Sequence, residues 1–205
     1  MIQIKNAAEL QKMRKACAIS AAALKAGGEA IEPGITTAEI DKIIYDFIVR
    51  HGARPNFLHL YGFPATACIS VNDTVIHGIP SKQQQIRPGD IVSIDTGCKI
   101  DGFNGDNACT YGCGKLELEA QRLLDVTKES LHRGIEMARG GNRVGDIGHA
   151  VQTYVEENGF SVVRTFVGHG VGKELHEDPE VPNYGPPGRG PRLVPGMCIA
   201  IEPMV

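Results

Sequence analysis

The chain has 205 residues, 42% of them hydrophobic, with a formal net charge of −3. That suits one large domain or two small halves with a substantial core, and the lack of any Lys/Arg run or basic stripe argues against nucleic acid as a ligand. Met1-Ile2-Gln3-Ile4-Lys5 runs straight into polar amphipathic sequence, no apolar stretch could span a bilayer, and the six scattered cysteines form no C-x-x-C, so reduced thiols, no membrane and a cytoplasmic location are expected.

Asn6 with Glu9 forms a capping-box pattern ahead of Leu10, Met13, Cys17, Ala21 and Leu24 at helical spacing, and Gly27-Gly28 is expected to weaken or end that helix. Thr36 with Glu39 is a second capping box. It opens a helix with Ile40, Ile43, Ile44, Phe47 and Ile48 on its apolar face, ended by Gly52. His51, in the last turn, suits the helix dipole. Strands are expected near Pro55 to Leu60, over Ala67 to Val71 and over Thr74 to Ile79, which carries His77. Beyond residue 111, Leu116 to Ala138 reads as a helix with Leu123, Leu124, Thr127, Leu131 and Ile135 on one face. A fourth helix carries Ile147, Val151, Tyr154 and Val155, with His149 pointing outward. Phe160 to Val167 reads as a strand entering Gly168-His169-Gly170-Val171-Gly172. A Pro/Gly-rich loop from Pro179 to Pro191 and a last strand, Met197 to Glu202, follow.

The centre of this order is Ile91 to Tyr111. Ile91 to Lys99 and Phe103 to Tyr111 read as the two strands of a hairpin, turned by Asp101-Gly102. A two-residue loop pairs Ile100 with Phe103, Asp95 with Ala108 and Gly97 with Asp106. Asp95 and Asp106 are then diagonal neighbours on one face, with Cβ atoms roughly 7–8 Å apart or less, close enough to reach one cation or a close pair. Their same-face neighbours Gly97 and Ala108 are expected to leave room for a ligand. Two solvated acids on an exposed sheet face are the alternative. Ile91 and Ile94 argue for burial, and buried carboxylates need a partner.

A shift of 107 residues aligns the two halves without gaps at several places. Ile44, Phe47, Ile48 and Gly52 fall on Val151, Tyr154, Val155 and Gly159. Pro88-Gly89 through Ile94-Asp95 falls on Pro195-Gly196 through Ile201-Glu202. Two α/β halves of similar topology follow, and Glu202 becomes the mate of Asp95. Asp95, Asp106, Glu202 and one imidazole, from His169 or His176, form an oxygen-rich donor set. It suits Mn, Fe, Co or Zn better than a thiolate zinc site.

V-I-H-G-I-P, S-I-D-T-G, D-G-F-N-G-D, G-H-G-V-G-x-x-x-H-E-D-P and P-G-M-C-I-A-I-E-P-M-V, in that order, resemble the motifs of the type I methionine aminopeptidases, in the M24 metallopeptidases. The short span between His176 and Glu202 favours type I over type II. The resemblance implies the α/β (α+β) pita-bread fold, with two pseudo-two-fold-related halves and a central antiparallel sheet covered by helices. It implies one catalytic domain over residues 1–205, with repeat halves of about 1–112 and 113–205, the second incomplete. The implied reaction is removal of the initiator methionine from nascent proteins by metal-activated hydroxide attack on the first peptide bond, using two divalent ions (Co, Mn, Fe or Zn).

By the same resemblance Asp95 and Asp106 are metal ligands, with Asp106 bridging. His169 and Glu202 complete one metal, and Glu202 also accepts a proton. His77 and His176 contact the peptide and steady the tetrahedral intermediate, and Phe63 and Cys68 line the methionine pocket. The implied partners are N-terminal methionines followed by a small residue, and the ribosome. A monomer is expected. The family's fifth ligand, a Glu beyond I-E-P-M-V, has no counterpart in these residues, so the resemblance implies impaired second-ion binding and activity for them alone. Leu60 and Leu175 stand where aromatic residues are common in the family. An Xaa-Pro-type aminopeptidase and a non-catalytic pita-bread module that binds nascent chains or ribosomes are the alternatives.

Overall fold

Asn6 and Glu9 exchange hydrogen bonds as the capping box predicts: the Glu9 amide donates to Asn6 Oδ1 at 3.0 Å and the Asn6 amide to Glu9 Oε2 at 3.1 Å. Helix α1 follows over Ala7–Glu29 in the computed structural model, which describes residues 1–205. It runs through Gly27 and Gly28 rather than ending there. A Cβ on Gly27 would lie 2.7 Å from Ile44 Cδ1, and one on Gly28 2.2 Å from the Tyr111 ring. These glycines serve close packing, and the tertiary contacts outweigh their poor helix propensity.

Two units form, Gln11–Ala120 and Met1–Leu10 with Gln121–Val205. In the first, Thr36 and Glu39 complete their capping box and start α2 over Thr37–Arg50, which buries Ile40, Ile44 and Ile48. His51 caps its end, with Nδ1 donating to Phe47 O at 2.8 Å and its ring stacked on Phe47. The sheet has strands β1 (Arg54–Pro55), β2 (Ala67–Val71), β3 (Ile91–Ile100) and β4 (Phe103–Gly112). β1 and β2 pair antiparallel along one edge of β3, and β4 pairs along the other. The hairpin register is the expected one: Ile100 pairs with Phe103, Asp95 with Ala108 and Gly97 with Asp106. Both turn residues take positive φ, 52° at Asp101 and 84° at Gly102, as a two-residue hairpin loop requires.

Alternation along β3 buries Val92, Ile94, Thr96 and Cys98, with Ile94 and Cys98 in a core shared with Ala23, Leu24, Ile40, Ile44 and Ile48. Helix α1 presses on this face. Ser20 Oγ donates to Thr96 O at 3.0 Å, and a Cβ on Gly105 would lie 2.4 Å from Ala16 O. Asp95 and Asp106 belong to the opposite face.

The second unit contains α3 (Leu118–Met137), α4 (Val144–Glu157), β5 (Gly168–Gly170) and β6 (Glu177–Val181), with β5 and β6 paired antiparallel. The buried seam of α3 is Val126, Ser130 and Gly134, not the Leu123 to Ile135 stripe. Small residues there admit α4: a Cβ on Gly134 would lie 2.9 Å from Val151 Cγ2. Ile135 is left 50% exposed.

The 107-residue shift holds at atomic detail. It carries both ends of α2 onto those of α4 and the bridge Thr36–Gln85 onto Arg143–Arg192. The bond from Gly34 N to Ile86 O at 2.8 Å recurs from Gly141 N to Leu193 O at 3.0 Å, and that from Ala53 N to Ile48 O at 3.2 Å from Phe160 N to Val155 O at 3.2 Å. Gly27 against Ile44 and Ile40 recurs as Gly134 against Val151 and Ile147.

Four strand assignments differ from the sequence reading. Residues 56–59 are irregular, and Leu60–Gly62 is a single 3₁₀ turn. Thr74 to Ile79 is not a strand, because His77 turns the chain at φ 58°. Phe160 to Val167 is irregular, and Met197 to Glu202 holds only an isolated bridge from Ile199 to Gly170. β6 lies in what reads as loop, since Pro179 cannot donate to a ladder and masks it.

Candidate metal and peptide site

In the hairpin unit, Asp95 and Asp106 are half-buried on neighbouring strands, one diagonal step apart. Cys68 lies directly opposite Asp95 on β2 and is 6% exposed. Burial pushes its thiol up to about 12, with the charges of Asp95, Asp106 and Asp41 adding to the shift. A neutral thiol in this position behaves as a small, soft apolar group. Asp41 holds the start of this strand: its Oδ1 accepts the Thr66 amide at 2.9 Å and the Ala67 amide at 2.8 Å.

The space over Gly97 is not vacant, contrary to the sequence expectation. The Asn56 carboxamide occupies it, with Oδ1 2.4 Å from where a Gly97 Cβ would stand. Asn56 Nδ2 donates to Asn104 Oδ1 and Gly105 O, both at 3.3 Å. Only glycine fits beneath that amide.

Phe63 is half-buried and closes a tight loop. His59 N donates to Phe63 O at 2.8 Å, and Phe63 N to Leu60 O at 2.9 Å. His59 and Tyr61 take positive φ there, 68° and 50°, a strained state for non-glycine residues. His77 is exposed and also has positive φ. Its neighbour Gly78 is pinned to β2: the Ile69 amide donates to Gly78 O at 2.8 Å, and the Gly78 amide to Ser70 Oγ at 3.0 Å. His77 is therefore held beside the strand that carries Cys68.

In the second unit, His169 lies on β5 and Glu202 on the segment beside it, where the Ala200 amide donates to His169 O at 2.7 Å. A Cβ on Gly168 would lie 2.3 Å from Ala200 O, so glycine is needed for that approach. His169 Nδ1 is 2.8 Å from Gly170 O. A carbonyl only accepts, so Nδ1 carries the proton and donates. That leaves Nε2 facing Glu202 Oε1 at 3.4 Å. Two acceptors face each other unless a proton or a cation lies between them. An imidazole fixed in its tautomer through its other nitrogen, beside a carboxylate, is how metal-ligating histidines are presented. The donor chemistry therefore fits a divalent ion.

The His176 ring packs edge-on against His169, with centroids 4.6 Å apart. Asn183, 1% exposed, donates from Nδ2 to the Glu202 carbonyl at 2.7 Å. Sequence reading missed Asn183, Asn56 and Asp41, because each acts by hydrogen bonding to distant residues and none belongs to a motif. Leu175 is buried beside His176, whereas Leu60 is half-exposed in its 3₁₀ turn.

The chain matches the sequence signature of Metallopeptidase family M24 over residues 11–205. It is 55% identical over 205 residues to a methionine aminopeptidase of Clostridium perfringens (strain 13 / Type A), covering 100% of this chain and 82% of that one. A crystal structure of methionine aminopeptidase from Thermotoga maritima superposes with a TM-score of 0.97 at 43% identity, over 99% of this chain and 82% of that one. One from Rickettsia prowazekii gives 0.97 at 38% identity with the same coverage.

Proposed function

Because the chain belongs to metallopeptidase family M24 and has the pita-bread fold of the methionine aminopeptidases, we propose that it removes the N-terminal methionine from nascent polypeptides by hydrolysing their first peptide bond. The single observation that carries the metal part of this reading is His169 Nε2 facing Glu202 Oε1 at 3.4 Å with Nδ1 already committed to Gly170 O. The identity of 55% to a named methionine aminopeptidase favours this reaction over Xaa-Pro cleavage or a non-catalytic module.

Asp95, Asp106, His169 and Glu202 are the residues that would hold two divalent ions, drawn from Co, Mn, Fe or Zn, with Asp106 shared. Such ions, when bound, lower the pKa of water and polarise a carbonyl. The chain's own groups do the rest. Glu202 accepts the proton that the attacking water gives up, and the Asn183 bond to its backbone holds it in place. His77 and His176 donate to the peptide and to the oxygen that gains charge during attack, a role suited to positioned donors. Phe63 and the neutral Cys68 thiol offer apolar and soft contacts to a thioether side chain. No helix of the chain is long and apolar enough to cross a membrane. The setting that suits this substrate is the cytoplasm, at or near the ribosome, with the enzyme acting as a monomer.

The test is methionine release from a Met-Ala-Ser peptide with added Mn(II) or Co(II), alongside metal stoichiometry of wild type and Asp106→Ala. Some release by wild type, and loss from the variant of every ion that wild type binds, is the expected result. Two ions retained by Asp106→Ala would remove the bridging role, and no release by metal-loaded wild type would remove the activity.

A further inference from the structure

Lys5 is 6% exposed, although it lies five residues from the N-terminus. Its Nζ is 2.7 Å from Glu177 Oε2, with the two side chains 5% and 9% exposed. Nζ also donates to Gln3 O at 3.2 Å. The other carboxylate oxygen, Glu177 Oε1, accepts the Glu174 amide at 3.2 Å. A Cβ on Gly172 would lie 2.6 Å from both Glu177 Oε1 and Lys5 Cε, so the pair packs tightly beneath the G-H-G-V-G run. The Lys5 backbone amide donates to Gly196 O at 2.8 Å, at the turn that starts the Glu202 segment.

A buried ion pair is poor at supplying net stability, because desolvation offsets most of its attraction. Its location suggests another use. Glu177 follows His176 directly and pairs across the two-stranded sheet with Gly170, the residue after His169. The register is irregular between His169 and Gly170, so the ladder alone does not fix the two rings. Lys5 thus ties together three segments: the His176 loop, the strand opposite His169, and the turn before Glu202.

We propose that Lys5 and Glu177 are positioning residues that fix the edge-on arrangement of the His169 and His176 rings. The kinetic consequence rests on the function proposed above, whereas the structural one does not. Replacing both partners by apolar residues, Lys5→Met with Glu177→Leu, leaves no unpaired buried charge and preserves thermal stability. The imidazole signals of His169 and His176, read by proton–nitrogen NMR on the metal-free protein and assigned with His169→Gln and His176→Gln, are expected to shift and broaden in this double variant. With Mn(II) and Met-Ala-Ser peptide, kcat falls on the order of 10–100-fold while KM holds, as expected for a small misplacement of a group that acts in the transition state. Wild-type ring signals in a folded double variant overturn the proposal, whatever the activity. If that double variant fails to fold, Lys5→Met with Glu177→Gln, which also leaves no buried charge but keeps an acceptor for the Glu174 amide, is read by the same signals. Absent methionine release by wild type counts against the proposed function and leaves the ring-signal arm to decide on positioning.

Discussion

Removing the Asp41 side chain should loosen the strand that carries Cys68. Asp41 Oδ1 accepts the Thr66 and Ala67 amides at 2.9 and 2.8 Å, and those residues are 2% and 0% exposed. Asp41→Ala leaves both donors without a partner. Each orphaned buried donor costs ~1–3 kcal/mol. Asp41 is itself only half-buried, so water can enter the vacated space, and the low end applies: a total of ~2–3 kcal/mol. For a chain of this length that corresponds to a fall in Tm of ~4–12 °C. Asp41→Asn keeps an acceptor in the same place and should stay near wild type. Burial raises the Asp41 pKa above the ordinary value, against the two amide bonds that lower it. The folded state therefore holds its proton to higher pH than the unfolded state. Stability from this group is present at low pH and is lost as pH rises through the window between the unfolded and folded values. Urea unfolding of the three proteins across that window is the assay. The wild-type-minus-Asn difference should move toward wild type as pH falls. An Asp41→Ala protein as stable as Asp41→Asn would refute the hydrogen-bond argument, and a difference independent of pH would refute the burial argument.

Gly27→Ala and Gly134→Ala should each destabilise by up to ~2 kcal/mol in denaturant unfolding, since overpacking costs ~1–3 kcal/mol and the gain in helix propensity returns only ~1 kcal/mol. Added stability in either would show that Ile44 or Val151 can give way. Thr36→Ala removes the α2 cap and should cost ~1 kcal/mol. Separately, hydrogen bonds hold the Glu39 and Asp146 carboxyls below their ordinary values, to Thr36 for Glu39 and to the Arg143 and Gly188 amides for Asp146. Both therefore stabilise the fold above the unfolded carboxylate range, and this is lost as pH falls through their folded values. Glu39→Gln should flatten that acid slope in thermal melts, and an unchanged slope would count against the cap.

The hairpin and the helix starts were legible in the sequence because their signals are local. Asp101-Gly102 fixes the loop length, which fixes the register and thereby sets Asp95 one diagonal from Asp106. Thr36 and Glu39 need only each other. The strands misread over 74–79 and 160–167 contain apolar residues at strand-like spacing. Their backbone bonds go elsewhere: Val163 N donates to Met204 O at 2.8 Å. β6 failed for the opposite reason, since a proline inside a short charged segment carries no strand signal. The His169–Glu202 meeting was reachable only through the repeat and the motifs, while the buttress from Lys5 to Glu177 spans 172 residues and leaves no pattern to read.

Equivalent helix positions in the two halves of the repeat support the next segment by different means. Asp41 shifted by 107 residues falls on Gly148. In one half this helix position supports the next segment with a carboxylate that takes two amides at the head of β2. In the other it supports it by having no side chain. A Cβ on Gly148 would lie 2.5 Å from Pro182 O and 2.6 Å from Tyr184 O, so the chain after β6 rests on the helix backbone itself. Asn183 lies between those two residues, and its amide reaches the Glu202 carbonyl. The same helix position thus anchors the head of the strand that carries Cys68 in the first half and supports the segment that carries Asn183 to Glu202 in the second. Gly148→Ala should therefore disturb Glu202 more than helix α4, because Ala favours the helix and only the segment through Asn183 must move. Hydrogen exchange gives the reading. Faster exchange confined to residues 182–184 and to the Glu202 segment fits this account, and exchange that rises first within α4 would refute it.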